Sequence, residues 1–352
     1  MLTFPDSERE VPMAALPDRL NQNSWPELPL AAWQDTYATL HMWTQIVGKV
    51  RLALSPRINH WWEVALYVNA RGLTTSAIPY SGGNFEIQFD FVDHKLIIQT
   101  SWGTSETFVL RAQSVADFYA EFTSALRSLG IEVKIWPMPC EVPNPVRFTS
   151  DKQHASYDPE YAHRFWQVLI RCDNIFWEFR ARFIGKDSPV HFFWGSFDLC
   201  VTRFSGRRAP ERVGADPVTR EAYSHEVIST GFWPGGGDIK GAAFYAYAAP
   251  EPAGFAEQKV RPAAAFYHPQ LKEFLLMYDD VRRSASPREA LLSFCRALTR
   301  RERTWRSGIG KNWRELSAIA ETPCRAAGGA GVQGVLRLRL CFAFANHNLR
   351  SG

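Results

Sequence analysis

Four prolines fall within ten residues near the middle of the 352-residue chain, in the segment 136–145. Proline fixes φ and lacks an amide hydrogen, so this segment cannot form the interior of a helix or a central strand. It therefore separates two halves. We predict five parts: a loose leader 1–24, a first α+β repeat 25–135, a Pro-rich linker 136–157, a second α+β repeat 158–299 and a basic tail 300–352.

The two halves carry similar signals in the same order. A shift of 172 residues aligns Ser114 with Ser286, Asp117 with Glu289, and Phe122 with Phe294. A serine followed three positions later by an acid, ahead of an apolar stripe, predicts a helix start. The strands between the helices follow one another too closely for parallel crossovers. We therefore predict an α+β fold made by tandem duplication of a helix–antiparallel strands–helix unit, with two sheets each covered by helices. The alternative is a chance agreement between two amphipathic helices.

The spacing of apolar residues predicts the individual elements. It favours a helix over 33–47 and a short strand over 50–54. Residues 60–68 are rich in aromatic and β-branched side chains, and residues 177–183 alternate between apolar and charged, so both segments are predicted to be strands. Residues 85–91 alternate strictly, which predicts a strand with one face toward the core and one toward water.

Charge and hydropathy limit the class of protein. The net charge is +4, but residues 301–352 hold nine basic and three acidic residues, so the remainder is slightly acidic. A folded body without a basic stripe argues against a nucleic-acid partner. The Arg/Ala/Gly-rich tail is predicted to be disordered or foreign to the fold, either as a natural basic arm or through a reading-frame shift in a GC-rich gene. No apolar run reaches the length of a membrane span and no signal peptide is evident, so we expect a cytoplasmic protein without a membrane partner.

Three blocks of sequence resemble a bacterial family of uncharacterised proteins, a domain of unknown function. They are HWWEVALYV at 60–68, HFFWGSFDL at 191–199, and SHEV followed by GFWPGG within 224–236. The resemblance covers about residues 25–298. It implies no known activity, so the chemistry has to be argued from the residues themselves.

Candidate functional residues lie in these blocks. The phosphate-loop, G-x-S-x-G and H-E-x-x-H motifs are absent, so no cofactor is expected. Imidazole and carboxylate groups serve as general acids and bases near neutral pH. The candidates for that role are His60, Glu63, His191, His225 and Glu226. A metal site is not expected, because the strand neighbours His225 and Glu226 point to opposite faces. The candidate ligand-binding residues are Trp62, Trp194, Asp198, Arg203, Arg207 and Trp233.

These residues suggest two functions. The first is binding of a polar small molecule in an aromatic-lined cleft between two similar halves, with His–carboxylate acid–base chemistry as an option. The second is a non-catalytic interaction or self-association module, with the aromatic side chains meeting a partner. Each histidine also has a structural interpretation, in which it bonds a backbone carbonyl at the edge of a strand. The oligomeric state is left open by the sequence.

Overall fold

The computed structural model describes residues 25–183 and 185–299. The expectations for the leader 1–24 and for the tail from residue 300 concern residues outside these ranges. Six α-helices are present in the described part. They are α1 (Leu30–Leu54), α2 (Val115–Ser128), α3 (Pro159–Ala181), α4 (Pro217–Ala222), α5 (Tyr278–Arg282) and α6 (Pro287–Thr299). Two 3₁₀ helices cover Asn59–Val64 and Phe148–Ser150.

The first half contains a six-stranded antiparallel sheet in the order β1-β2-β4-β5-β6, with β3 paired to β4. Its strands are β1 (Tyr67–Val68), β2 (Gly72–Thr74), β3 (Ile78–Tyr80), β4 (Gly83–Asp90), β5 (Lys95–Thr100) and β6 (Ser105–Val109). The predicted strand 85–91 is confirmed as β4. Its buried members Phe85, Ile87 and Phe89 alternate with the half-buried Glu86 and Gln88.

The second half contains another six-stranded antiparallel sheet, in the order β11-β12-β10-β9-β8-β7. Its strands are β7 (His191–Phe193), β8 (Asp198–Arg208), β9 (His225–Trp233), β10 (Ala243–Ala249), β11 (Phe266–His268) and β12 (Glu273–Met277). The predicted α+β class with two antiparallel sheets is confirmed.

The two sheets meet edge to edge. Leu66, next to β1, and Phe192 of β7 form an antiparallel bridge, with backbone N–O distances of 2.9 and 2.8 Å. Both side chains are fully buried. Each half runs from a long helix through its sheet to a further helix, and the halves touch at this pair. Such an order is what a duplication would produce, but the duplication itself stays a prediction.

One apolar core joins the helices to both sheets. In the first half, Trp43 of α1 stacks on Phe118 of α2 with ring centroids 4.7 Å apart, and Phe118 stacks on Phe89. In the second half, Phe165 of α3 packs against Phe192 of the sheet. Helix α1 also contacts α3, which contacts α6. The helices therefore cover one face of each sheet. The other face is formed by the strand side chains that point away from the helices.

Helix starts follow the sequence closely. The Ser114 hydroxyl accepts from the Asp117 amide, so the first predicted capping box is formed. Asp158 accepts from the amides of Glu160 and Tyr161, with Pro159 in the first turn of α3. Each cap satisfies amides that have no partner within the helix. Residues 136–145 lie outside helices and strands, as their prolines require.

Three strand predictions are wrong. Residues 50–54 continue α1, and residues 177–181 continue α3, where Glu178 pairs with Arg182 one turn away. In both segments apolar and polar residues do alternate along the sequence. The chain is helical there, however, so the helix decides which of these side chains are buried. Residues 60–68 are mostly a 3₁₀ helix, because His60 and Trp61 adopt φ values of 62° and 61° that no strand contains.

Candidate functional site

The second sheet has two different buried faces. Phe192, Leu199, Phe232 and Phe244 point toward the helices and belong to the main core. The strand alternation turns the intervening residues to the opposite side, which we call the outer face. Across neighbouring strands it carries His191 opposite Cys200, Cys200 opposite Gly231, and Gly231 opposite Tyr245. The outer face is therefore polar and aromatic.

Next to the outer face, three basic side chains converge on two aromatic rings. We call this group the basic aromatic cluster: His60, Trp62, Lys186, Phe204 and His225. The His60 ring lies 5.5 Å from Trp62, 4.8 Å from Phe204 and 5.6 Å from His225, between centroids. The Lys186 ammonium lies 4.6 Å from the Phe204 ring and 5.5 Å from the Trp62 ring. These distances suit cation–π attraction.

Hydrogen bonds orient His60 within the cluster. Lys186 Nζ lies 2.9 Å from His60 Nε2, and an ammonium group can only donate. Nε2 is therefore the acceptor, and the proton of the neutral ring is on Nδ1. Nδ1 lies 3.2 Å from the main-chain oxygen of Glu221, to which it donates. His60 thus ties the first half of the chain to α4.

Local backbone features bring these side chains together. The left-handed φ of His60 and Trp61 turns the chain so that His60 and Trp62 both reach the second sheet. Such values in non-glycine residues are costly and concentrate at functional sites. In β8 the register shifts between Phe204 and Arg208, where Gly206 has a φ of 88°. This bulge restores the pairing of Arg208 with His225 at the end of β9.

The cluster carries positive charge without a matching carboxylate contact. Burial, followed by the charge of Lys186, lowers the pKa of both His60 and His225. Burial also lowers the pKa of Lys186. Among residues 25–183 and 185–299, no acidic side chain forms an ion pair with any of the three. A bound anion would stabilise the charged forms of such basic groups, which burial disfavours.

A second polar group adjoins the cluster through Trp62. The His191 ring lies 5.6 Å from Trp62 and 5.7 Å from Tyr67. The Arg51 guanidinium lies 5.4 Å from the Tyr67 ring, and its Nε donates to the main-chain oxygen of Glu63. Burial, and then the charges of Arg51 and Arg180, lower the pKa of His191 to about 3. His191 is therefore neutral at physiological pH.

Two buried nitrogen atoms in this second group make no hydrogen bond to any part of the chain that the structure describes. They are Nη1 of Arg51 and Nε2 of His191, which is only 1% exposed. A buried polar group without a partner costs about 1–3 kcal/mol. Both atoms therefore have unused capacity to bond an oxygen atom.

The chain belongs to the DUF5996 family. The family model, described as a family of unknown function, matches residues 25–301. The basic aromatic cluster and the group around His191 both lie inside the matched region. No curated protein and no solved structure matches the chain.

The remaining predicted residues of this DUF5996 chain lie in two further places. On the outer face, Asp198 accepts hydrogen bonds from the hydroxyls of Tyr245 and Ser196. Trp233 packs in the same apolar group as Tyr245. Arg203 lies on the opposite face of β8, over the Phe179 ring, and donates to the Phe179 main-chain oxygen. Asp198 and Arg203 are therefore not brought together.

Trp194 and the predicted carboxylates have structural contacts. Trp194 donates from Nε1 to the Val64 oxygen at 2.7 Å and packs so closely on α1 that only Gly48 fits there. The Glu63 carboxylate accepts from the Ile58 amide at 3.1 Å. Glu226 pairs with the exposed Arg207 at 2.8 Å and lies away from the His60 ring. A His–carboxylate side-chain pair is thus not formed by these residues.

Sequence reasoning missed two basic residues of the site, Arg51 and Lys186. Arg51 was placed in a predicted strand, and Lys186 follows a segment also misassigned as a strand. Neither lies in a recognisable motif. For Lys186, the one available signal was its position five residues before the block that begins at His191.

The second half of the chain also contains a cleft. It has a volume of about 770 Å³ and carries charged side chains of both signs. Its lining consists of residues 209–216, Thr219, residues 247–251 and residues 271–273.

Within the described ranges, no three His, Cys, Asp or Glu side chains are placed to hold a metal ion. In those same ranges, no helix is long and apolar enough to cross a membrane.

Proposed function

We propose that the protein binds a small anionic molecule at the basic aromatic cluster. The observation that carries this proposal is the convergence of His60, Lys186 and His225 on Trp62 and Phe204. Burial lowers the pKa of all three basic groups, and the charge of Lys186 lowers those of His60 and His225 further. An anion bound among them would stabilise their charged forms.

The cluster also supplies the contacts that such a ligand needs. Lys186 is exposed and can reach a carboxylate or phosphate oxygen from solvent. Trp62 is half-buried and provides a flat apolar surface for the rest of the molecule. The cluster joins the 3₁₀ helix of the first half to β8 and β9 of the second. The cluster therefore lies where the two halves meet.

The contacts favour binding over His–carboxylate catalysis. His60 reaches Glu221 only through a main-chain oxygen, and the Glu221 carboxylate pairs with Arg57. Without a carboxylate on the imidazole, there is no oriented base of the usual kind. The alternative function, an interaction or self-association module, stays a prediction. The exposed large apolar side chains, such as Trp102, Trp177 and Phe266, lie on separate elements, as is normal for a soluble surface.

A histidine titration tests the proposal. The imidazole signals of the full chain are followed by NMR against pH, with and without inorganic phosphate or benzoate, and assigned with His60→Gln and His225→Gln. We expect both anions to raise the pKa of His60 and of His225, because a bound anion stabilises the imidazolium.

Lysine variants provide the control. Lys186→Gln should weaken anion binding and raise the pKa of His60 without any ligand, since it removes a neighbouring positive charge. The matched variant Lys134→Gln removes an exposed lysine of the first half and should change neither. If neither anion moves the two histidine pKa values, the proposal is wrong.

A further inference from the structure

The group around His191 shares Trp62 with the basic aromatic cluster. The Trp62 ring lies 5.5 Å from His60 and 5.6 Å from His191. His191 in turn contacts Tyr67, over which the Arg51 guanidinium lies. A molecule that packs on Trp62 at the cluster therefore lies next to His191, from which the contacts continue to Tyr67 and Arg51. We call Arg51, Tyr67 and His191 the inner group.

The inner group can donate hydrogen bonds and has a charge to neutralise. Arg51 is permanently cationic, and its Nη1 is buried without a partner among the residues that the structure describes. His191 Nε2 is buried and equally unused within those residues. The nearest acidic residue in sequence, Glu63, offers Arg51 its main-chain oxygen, while its carboxylate accepts from the Ile58 amide. Two hydrogen-bond donors, one of them on the cationic Arg51 guanidinium, suit an acidic oxygen of a ligand.

We propose that Arg51 and His191 form an inner subsite that binds a second acidic group of the same ligand. This inference rests on the anion-binding function proposed above. It narrows the ligand class to small molecules with two acidic groups on a flat apolar body. The body packs against Trp62, one acidic group meets Lys186, His60 and His225, and the other meets Arg51 Nη1 and His191 Nε2.

The rings around the inner group favour an aromatic body. Tyr67 and Phe193 flank His191, with centroid distances of 5.7 and 5.3 Å, and Phe204 lies 5.9 Å from Trp62. Stacked and edge-to-face contacts select flat molecules over branched ones. Benzenedicarboxylates are therefore suitable probes, and benzoate is the matched compound that lacks the second acidic group.

Calorimetry on the full chain separates the two subsites. Benzoate, benzene-1,3-dicarboxylate and benzene-1,4-dicarboxylate are titrated into the wild type, Arg51→Gln, His191→Gln and Lys186→Gln. We expect at least one dicarboxylate to bind about tenfold or more tightly than benzoate, since a charged hydrogen bond to Arg51 contributes that much. Arg51→Gln should remove this preference and leave benzoate affinity unchanged, whereas Lys186→Gln should weaken all three compounds.

The outcomes distinguish the two proposals. If benzoate binds and depends on Lys186, but the dicarboxylates bind no better or Arg51→Gln weakens every compound equally, the inner subsite is wrong and the anion-binding function stands. If no compound binds and the histidine pKa values do not move, both proposals fail. Should Arg51→Gln fail to fold by circular dichroism, Arg51→Lys replaces it. Lysine keeps the charge but lacks the planar fork, so the dicarboxylate preference should fall and benzoate affinity should not.

Discussion

On the faces that point away from the helices, the two sheets differ in how deeply their polar side chains are buried. On the first sheet, Glu86 and Gln88 are half-buried, and Gln99 and Thr107 are exposed. On the second sheet, Asp198, Cys200, Ser229 and Tyr245 are all buried, none more than 7% exposed. The same alternation of apolar and polar residues therefore gives a wet face in one half and a buried polar face in the other.

Apart from His191 Nε2, which has no partner among the described residues, several polar groups of the buried face bond one another. Tyr245 reaches across β9 to donate to Asp198 on β8. The hydroxyls of Thr202 on β8 and Ser229 on β9 lie 3.0 Å apart, and the hydroxyl of Tyr223, at the end of α4, lies 3.0 Å from that of Tyr247 on β10. Buried groups that bond one another specify one arrangement, whereas groups on a solvent-exposed face exchange their partners for water. Changes on the second sheet should therefore cost far more than matched changes on the first.

The largest difference in stability between the two sheets is expected when a glycine is replaced by alanine. A Cβ at Gly231 would overlap the Tyr245 hydroxyl and lie 2.6 Å from the Leu199 main-chain oxygen. Gly231→Ala should therefore lower the free energy of unfolding by about 3 kcal/mol, through overpacking and loss of the bond to Asp198. In the first sheet, a Cβ at Gly83 would overlap only the Ser101 side chain, which can rotate, and would make ordinary contact with the Trp102 ring. Gly83→Ala should therefore cost less than about 1 kcal/mol. Urea unfolding measures both, and equal losses would contradict the comparison.

Acid should destabilise the second sheet through His191. Its pKa in the folded protein, about 3, lies below the ordinary value of 6.5, so the unfolded chain takes up the proton first. Stability is therefore complete above pH 6.5 and is lost as the pH falls toward 3, at about 1.4 kcal/mol per pH unit, or about 2 kcal/mol at pH 5.

His41 in α1, with a pKa of about 4, adds a similar slope between pH 6.5 and 4. His191→Gln should remove the His191 contribution and so reduce the pH dependence of urea unfolding measured from pH 7.5 to 5. An unchanged pH dependence in this variant would show that His191 does not titrate abnormally in the folded state.

Removal of a single tyrosine hydroxyl should have a smaller effect that still distinguishes the sheets. Tyr245→Phe deprives the buried Asp198 of a donor and should cost about 1.5 kcal/mol. Tyr80→Phe, in β3 of the first sheet, removes only a bond from the exposed Glu132 amide, which water can replace, and should cost about 0.5 kcal/mol or less. Thermal unfolding of the two variants side by side measures the difference. A larger loss for Tyr80→Phe would reverse the assignment of the two faces.

The smallest effect is expected on the wet face itself. Gln99→Lys places a charge on an exposed position of β5 and should change the free energy of unfolding by no more than about 0.5 kcal/mol. Thr107→Lys on β6 is an independent repeat at another exposed position. A loss above 1 kcal/mol at both positions would mean that this face is covered in solution.

Sequence patterns predicted the elements whose signals are local. The strict alternation of residues 85–91 became β4, and Ser114 and Asp158 became helix caps. The patterns failed at 50–54, 60–68 and 177–183, where aromatic and apolar residues alternate but helical turns bury them. Periodicity over five to nine residues cannot separate these cases, because both structures satisfy the same short pattern.

The site was predicted in part. The sequence identified three candidate histidines, His60, His191 and His225. The structure brings His60 next to His225, and Trp62 contacts both His60 and His191. Asp198 and Arg203 were both candidate ligand-binding residues, and the alternation along β8 places them on opposite faces. Arg51 and Lys186 had no motif, and only their contacts with Tyr67 and His60 reveal them.

By itself, the sequence determined the α+β class, the irregular backbone of residues 136–145, the helix caps and the presence of antiparallel strands. These follow from backbone chemistry and from side-chain spacing within a few residues. Only the tertiary structure decided which polar face is buried and which basic groups converge. Burial and charge repulsion depend on residues far apart in the chain, such as His60 and Lys186. No local pattern encodes the distance between such residues, so that distance exists only once the two halves have packed together.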